Sequence, residues 1–328
     1  MGESSQGELS NQADSIAFSR LADSDRLYPR TSVFSVGSSL TGLPRMSRGK
    51  DYIGQYRRLK RIRDGATCQI WEVIRDGDSK RLAAKLLQPE HAKKPEEIAL
   101  LKHEFEVAQK FKHPNVIEIY EFNTDKDIAY LILELSQYKN LKLLLREGGV
   151  EPLLPVIPRI IELAAEGLNY VHGQGWVHRD IKPDNYLVSE EGDVKLIDFA
   201  ISIRPPKGLA KLFSGRSKIA GTRSYMSPEQ IRSEAVDYRS DIYSFGCMLY
   251  ELVTGKVPYT GVTAEDLLGK HLRAPVPNPH AINSQLTPEF NSLVMRMMAK
   301  SRDDRPSSMD EFLKIFRTIR VFKVKLKG

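Results

Sequence analysis

Hydrophobic periodicity changes character once along this chain, just after Leu135, and that change restricts the fold more than any other feature. Before it, apolar residues fall in short alternating runs bounded by turn residues, the pattern of half-buried strands. Such runs span 56–63, 68–76, 81–87, 116–122 and 128–134, with turns at Asp64-Gly65 and Asp76-Gly77-Asp78. One helical stretch intervenes over 95–111, where Ile98, Leu101, Phe105, Ala108 and Phe111 share a face and His113-Pro114-Asn115 ends the pattern. After Leu135 the helical period dominates, through 139–146, 155–173, 241–254, 263–271 and 288–299, with short strands only at 186–188 and 194–197. The fold class is therefore α+β in two lobes. A small five-stranded β lobe with one main helix covers 53–135, and a larger, mostly α lobe covers 136–317. Ligands bind preferentially where two such lobes meet.

The flanks read differently. Residues 1–50 are rich in Ser, Gly, Asp and Arg with sparse apolar residues, so a disordered tail is expected. Residues 318–328 form a basic C-terminal tail in which Ile319, Val321, Phe322, Val324 and Leu326 are interleaved. Packing of that stretch on its own domain is preferred over binding to anionic lipid. With 328 residues, 41% of them hydrophobic, the chain can bury a substantial core. Its two cysteines, Cys68 and Cys247, form no Cys-x-x-Cys spacing, which argues against a structural zinc site and for a reducing compartment. No run of ~18 apolar residues reads as a membrane span. The N-terminus lacks the basic start and apolar core of a secretory signal, so a cytoplasmic chain is expected. A net charge of +7 suits phosphate-bearing partners but is not specific. No nucleic acid partner is expected.

The chemistry concentrates in His178-Arg179-Asp180-Ile181-Lys182-Pro183-Asp184-Asn185, followed thirteen residues after Asn185 by Asp198-Phe199-Ala200. Phosphoryl transfer needs a carboxylate to orient the attacking hydroxyl, and oxygen ligands to hold a cation on the phosphates. Asp180 suits the first task, and Asn185 and Asp198 the second. Lys182 is placed to neutralise the transferred phosphoryl group. These motifs resemble those of the eukaryotic-type (Hanks-type) protein kinases, most closely the bacterial Ser/Thr members, over residues 53–317.

The resemblance implies a bilobal protein-kinase fold, ATP with Mg²⁺ or Mn²⁺ as cofactors, and a protein substrate carrying a Ser or Thr acceptor. It implies that Lys85, in Ala83-Ala84-Lys85, contacts the α- and β-phosphates and pairs with Glu104, ten residues before Pro114. It places Arg63 and Gly65 over the phosphates. Ile70, Ala83 and Leu187 would sandwich the adenine, with Leu133 as gatekeeper, Glu134 and Ser136 at the hinge and Asn140 at the ribose. Glu229 of Ser227-Pro228-Glu229 is expected to pair with Arg305, and Asp241 to support the catalytic loop. Lys182 with Thr222 goes with Ser/Thr acceptors, and Asp184 with basic residues ahead of the acceptor.

Two departures stand out. Of the three glycines in the phosphate-covering loop only Gly65 survives, with Arg63 and Cys68 in place of the others. Cys68, in that flap near Arg58, Lys60 and Arg63, is either an oxidisable thiol of lowered pKa or an inert loop cysteine, the second reading being preferred. Ala200 replaces the glycine of Asp-Phe-Gly. Retention of Lys85, Glu104, Asp180, Asn185 and Asp198 favours an active enzyme over a nucleotide-binding scaffold without turnover. The segment from Asp198 to Glu229 carries Ser202, Ser214, Ser217, Thr222 and Ser224 among basic residues. Autophosphorylation at Ser214 and Ser217, in trans through self-association, is expected to create a partner for Arg179.

Overall fold

The computed structural model describes residues 51–125, 127–205 and 221–324. The first lobe is an antiparallel sheet carrying one long helix. Its strands are β1 (Tyr52–Ile53), β2 (Tyr56–Asp64), β3 (Cys68–Arg75), β4 (Arg81–Leu87), β5 (Ile119–Asp125) and β6 (Ile128–Glu134), with helix α1 (Pro95–Ala108) between β4 and β5. The spatial order is β1-β2-β3-β4-β6-β5. The sheet therefore has six strands rather than the expected five. The extra one is a two-residue piece that brings Ile53 and Tyr56 into a buried cluster with Val73, Ala84, Leu86, Tyr130 and Ile132. Gly54 permits this turn. Its φ is +57°, and a Cβ there would lie 2.0 Å from the Tyr130 hydroxyl.

Strand β2 breaks register against β3 twice, between Arg58 and Lys60 and between Arg61 and Arg63. Residues three apart face opposite sides of a regular strand, but the extra residue at Leu59 returns Arg58 and Arg61 to one side. Both guanidinium groups lie over the Trp71 ring, 5.0 and 5.7 Å from its centroid.

Two boundaries moved inward for identifiable reasons. The strand expected from 116 starts at Ile119, because Val116 bridges to Leu196 and the Ile117 N–H donates to the Leu196 carbonyl at 3.0 Å. These two residues tie the first lobe to the second. Helix α1 stops at Ala108 rather than 111, five residues ahead of His113, yet Phe111 remains buried with its ring 5.3 Å from that of Phe199.

The second lobe contains β7 (Lys139–Asn140), α2 (Leu141–Gly148), α3 (Ile157–Gly173), β8 (Tyr186–Val188), β9 (Val194–Leu196), α4 (Pro228–Ile231), α5 (Tyr238–Thr254), α6 (Ala264–Arg273), α7 (Pro288–Met297) and α8 (Met309–Phe316). Helix α5 is buried on every side from Ser240 to Val253, which marks it as the axis on which the lobe is built. Gly246 lets α7 approach it, since a Cβ there would lie 2.8 Å from Met297 Cβ. Beyond α8 the chain folds back. Val321 and Phe322 are buried, and the Thr287 N–H donates to the Val321 carbonyl at 3.0 Å. Among the described residues no helix is long and apolar enough to cross a membrane.

Candidate active site

The loop carrying Asp180 is held from below by one buried carboxylate. Asp241, in the first turn of α5, accepts the N–H groups of His178 (2.7 Å) and Arg179 (2.8 Å) and meets the His172 ring nitrogen at 2.9 Å. These contacts hold Arg179 at φ +71°, a left-handed conformation costly for a non-glycine residue. The Arg179 carbonyl in turn accepts from Gln230 Nε2 at 2.9 Å. Gly221 passes so close that a Cβ would lie 2.8 Å from this carbonyl. Gln230 had escaped the sequence reading. Ser227-Pro-Glu-Gln230 is a capping-box pattern, and that box is present, but the pattern gives no hint of the reach to Arg179.

Asp180 is surrounded by donors. Its Oδ1 accepts the Thr222 N–H (2.9 Å) and hydroxyl (3.0 Å), and its Oδ2 accepts Lys182 Nζ (2.6 Å) and Asn185 Nδ2 (3.2 Å). Lys182 Nζ also donates to Thr222 Oγ1 at 2.6 Å. The sequence separates Thr222 from Asp180 by 42 residues, and the fold makes them neighbours.

A second cluster lies across the cleft. Lys85 Nζ, on β4, is 2.6 Å from Glu104 Oε2 of α1 and 3.6 Å from Asp198 Oδ1. Burial alone disfavours the Lys85 charge, but Asp198 and Glu104 outweigh it and raise the ammonium pKa above its ordinary value. Burial pushes the Glu104 carboxyl up to about 7 against the pull of Lys85. For Asp198, burial is likewise opposed and here overcome, by Lys85, His178, the Ala200 N–H and Lys182, so its pKa falls below the ordinary value. A half-buried carboxylate held anionic and the amide oxygen of Asn185 are ligand types suited to a hard divalent cation. Among the described residues no three His, Cys, Asp or Glu side chains form a metal cage. Such a cation therefore needs oxygen ligands from water or substrate.

Asp198 itself takes the left-handed conformation, at φ +70°, while Ala200 is not among the described residues with positive φ. The turn falls on the aspartate, so the alanine at 200 meets no backbone strain. Phe199 is buried between Phe111 and His178, with ring centroids 5.3 and 5.2 Å away.

The remaining site residues divide. Ile70 pairs with Lys85 across β3 and β4, and Ala83 with Leu133 across β4 and β6, so these four lie in adjoining strands. Ile70, Leu133, Ser136 and Leu187 are half-buried. The Glu134 carboxylate pairs with Lys195 at 2.8 Å and its N–H donates to the Glu118 carbonyl at 2.9 Å. Asn140 is used at both ends. Its amide nitrogen donates to the Asp184 carbonyl, and its oxygen caps α2 by accepting the Leu143 N–H at 3.1 Å. Arg63 is exposed, opposite Ile70. Gly65 closes the hairpin turn through its N–H to the Cys68 carbonyl at 2.8 Å, while its own carbonyl accepts from Gln88 Nε2 at 2.5 Å.

Cys68 favours the preferred reading of an inert thiol. The charges that act on its thiol are Lys85, Glu104 and Asp198, not the arginines of β2, and burial pushes its pKa up rather than down. The oxidisable reading thus loses its physical basis. Glu229 and Arg305 form a buried two-pronged pair at 2.7 and 3.0 Å. Ser214 and Ser217, with Lys207, Lys211, Arg216 and Lys218, lie outside the described residues. Ser202 is fully buried.

Comparison with known proteins matches this chain to the protein kinase domain over residues 56–315. It is 30% identical over 259 residues to "Probable serine/threonine-protein kinase CA_C1728" of Clostridium acetobutylicum, covering 79% of this chain and 39% of that protein. It is 33% identical over 233 residues to serine/threonine-protein kinase PknB of Mycolicibacterium smegmatis, covering 68% of this chain and 36% of that one. Against serine/threonine-protein kinase PknH of Mycobacterium tuberculosis the identity is 32% over 266 residues, covering 80% and 41%. The chain spans about two fifths of the length of these curated relatives.

Proposed function

The chain belongs to the protein kinase family, and on that premise we propose that it transfers the γ-phosphate of Mg-ATP to a serine or threonine hydroxyl of a protein substrate. The observation that carries this reading is the joint assembly of two clusters. Lys85 meets Glu104 and Asp198, while Asp180 meets Lys182, Asn185 and Thr222. Asp180 orients the acceptor hydroxyl and takes its proton as the new P–O bond forms and the bond to the ADP oxygen breaks. Lys182 balances charge on the phosphoryl group in flight, and Lys85, oriented by Glu104, fixes the α- and β-phosphates. Asp198 and Asn185 are the residues that would hold Mg²⁺, or Mn²⁺ in its place, and the cation would supply charge neutralisation on the phosphates.

The adenine lies between Ile70, Ala83 and Leu187, beside Leu133, with Ser136 offering a backbone group at the hinge. Thr222, bridging Asp180 and Lys182, supports the choice of Ser/Thr acceptors. The kinase domain is read as 53–317, placed in the cytoplasm. Self-association for autophosphorylation at Ser214 and Ser217 belongs to the same proposal.

The test is transfer of labelled γ-phosphate to a generic basic protein by wild type and by Asp180→Asn. Loss of roughly 10²–10⁴-fold in the variant, the worth of a general base, with unchanged thermal unfolding, is the expected result. Near-wild-type turnover in the variant removes Asp180 from its role. ATP binding without turnover in the wild type supports the scaffold reading instead.

A further inference from the structure

The turn between β2 and β3 is gripped by a residue that no part of the mechanism uses. Gln88 is the first residue beyond β4, three after Lys85. Its backbone is fixed at both ends. The N–H donates to the Thr67 carbonyl at 2.9 Å, and the carbonyl accepts the N–H groups of His91 and Ala92 at 2.9 and 2.8 Å. From this base the half-buried side chain reaches the Gly65 carbonyl at 2.5 Å. A carbonyl only accepts, so the amide nitrogen is the end that faces it.

Two carbonyls of the turn, those of Gly65 and Thr67, therefore point at Gln88. In a trans peptide the N–H points opposite to the C=O of the same unit. The Ala66 N–H, which shares a peptide plane with the Gly65 carbonyl, is thus turned away from Gln88. This orientation matters over an anion: a carbonyl oxygen repels phosphate, whereas N–H groups of a turn make an anion-binding concavity. The turn has little latitude to find the orientation unaided. Arg63 and Cys68 stand where glycines would give freedom. At Gly65 the chain is tight, since a Cβ would lie 3.0 Å from the Cys68 carbonyl oxygen that its own N–H meets at 2.8 Å.

We propose that Gln88 is a positioning residue for the nucleotide, its amide holding the Gly65–Ala66 peptide with the carbonyl turned aside and the Ala66 N–H presented to the polyphosphate. This inference rests on the kinase reading above, which puts the turn over the phosphates. The consequence is selective. Gln88 contributes to the binding of ATP and not to that of adenosine, which has no phosphate for the Ala66 N–H to meet.

Two substitutions isolate the amide. Gln88→Met keeps the length of the side chain and removes the donor. Gln88→Glu keeps its shape and sets a carboxylate against the Gly65 carbonyl. Both leave the backbone bonds of residue 88 in place. Equilibrium titration of the whole chain with Mg-ATP and with adenosine reads the effect without requiring turnover. Gln88→Met is expected to weaken Mg-ATP binding roughly 3- to 10-fold, the size of one hydrogen bond, and Gln88→Glu to weaken it further. Adenosine should bind all three proteins within about twofold of one another on the same scale. Unchanged Mg-ATP affinity in Gln88→Met overturns the proposal, as does a parallel loss of adenosine affinity, which marks a merely structural role. A wild type that binds Mg-ATP but transfers no phosphate refutes the kinase reading alone, and the titrations still decide the role of Gln88. A wild type that binds no Mg-ATP overturns both.

Discussion

Glu229→Gln is a change whose cost the geometry sets directly. Arg305 is fully buried, and its guanidinium donates to Glu229 Oε1 at 2.7 Å and Oε2 at 3.0 Å. Its other donors reach the carbonyls of Ala299 (2.8 Å), Arg239 (2.8 Å) and Lys300 (3.1 Å). Glutamine keeps the shape of Glu229 but turns an NH₂ toward the guanidinium where an acceptor is required. Three carbonyls still solvate the cation, so the loss should fall at the low end of the ~3–5 kcal/mol typical of a broken buried pair, about 3 kcal/mol.

Arg305→Met is harsher. It leaves the buried Glu229 carboxylate to the Ser240 hydroxyl, which donates to it at 2.6 Å, and should cost about 5 kcal/mol. Urea unfolding at pH 7 measures both. The pH dependence has a definite sign. Burial acts to raise the Glu229 pKa, but Arg305 and Ser240 outweigh it and depress the folded value below the ordinary 4.5. The stabilisation is therefore complete above about pH 4.5 and lost as pH falls through the depressed folded value. The advantage of wild type over Glu229→Gln should shrink in acid. A loss under ~1 kcal/mol at pH 7, as for an exposed pair, or an advantage that grows in acid, refutes the reasoning.

Lys85→Met should lower kcat/KM by roughly 10²-fold or more, as removal of a fixed charge at the phosphates does; labelled-phosphate transfer checks this, and unchanged kinetics would assign the phosphates to another lysine. Cys68 should react slowly with iodoacetamide at pH 7 and faster only above its ordinary pKa of 9.0, because burial raises that value. Rapid alkylation at pH 7 would show the thiol to be more open than its burial implies. Incubation with Mg-ATP followed by peptide mapping should find phosphate on Ser214 or Ser217, and a Ser214→Ala, Ser217→Ala double variant should lose activity. Unmodified serines, or full activity in the double variant, would make the enzyme constitutively active.

Residue order and spacing revealed those parts of the site whose chemistry requires particular residue types close together. Asp180, Lys182 and Asn185 sit within six residues, and the loop that carries them is short, so their meeting was legible. The Lys85–Glu104 and Glu229–Arg305 pairs were legible only through the resemblance, since nothing local links residues so far apart. Less visible were effects that depend on what packs around a residue. Asn140 is assigned to the ribose by the resemblance, and nothing in the sequence shows that its side-chain oxygen also caps a helix. Cys68 lies among arginines in sequence but is half-buried near Lys85, Glu104 and Asp198 in space, and desolvation raises its pKa. Strand β1 has only two residues, too few for any alternation to register. Val116 and Ile117 have the composition of a strand but spend their pairing on β9.

The doubly bulged strand β2 also bears on how the molecule behaves in company. Beyond Arg57 the two-residue β1 no longer pairs with it, so residues 59–64 present an open sheet edge among the described residues. An open edge invites pairing with the edge of another molecule. Here the ladder is interrupted at Leu59 and Ile62, and Lys60, Arg61 and Arg63 lie along it, all exposed. A second copy approaching edge to edge would meet a broken register and its own like charges. The basic residues of this strand thus act against fibre-like stacking at high protein concentration, and replacing Lys60 and Arg61 with threonine would expose that liability.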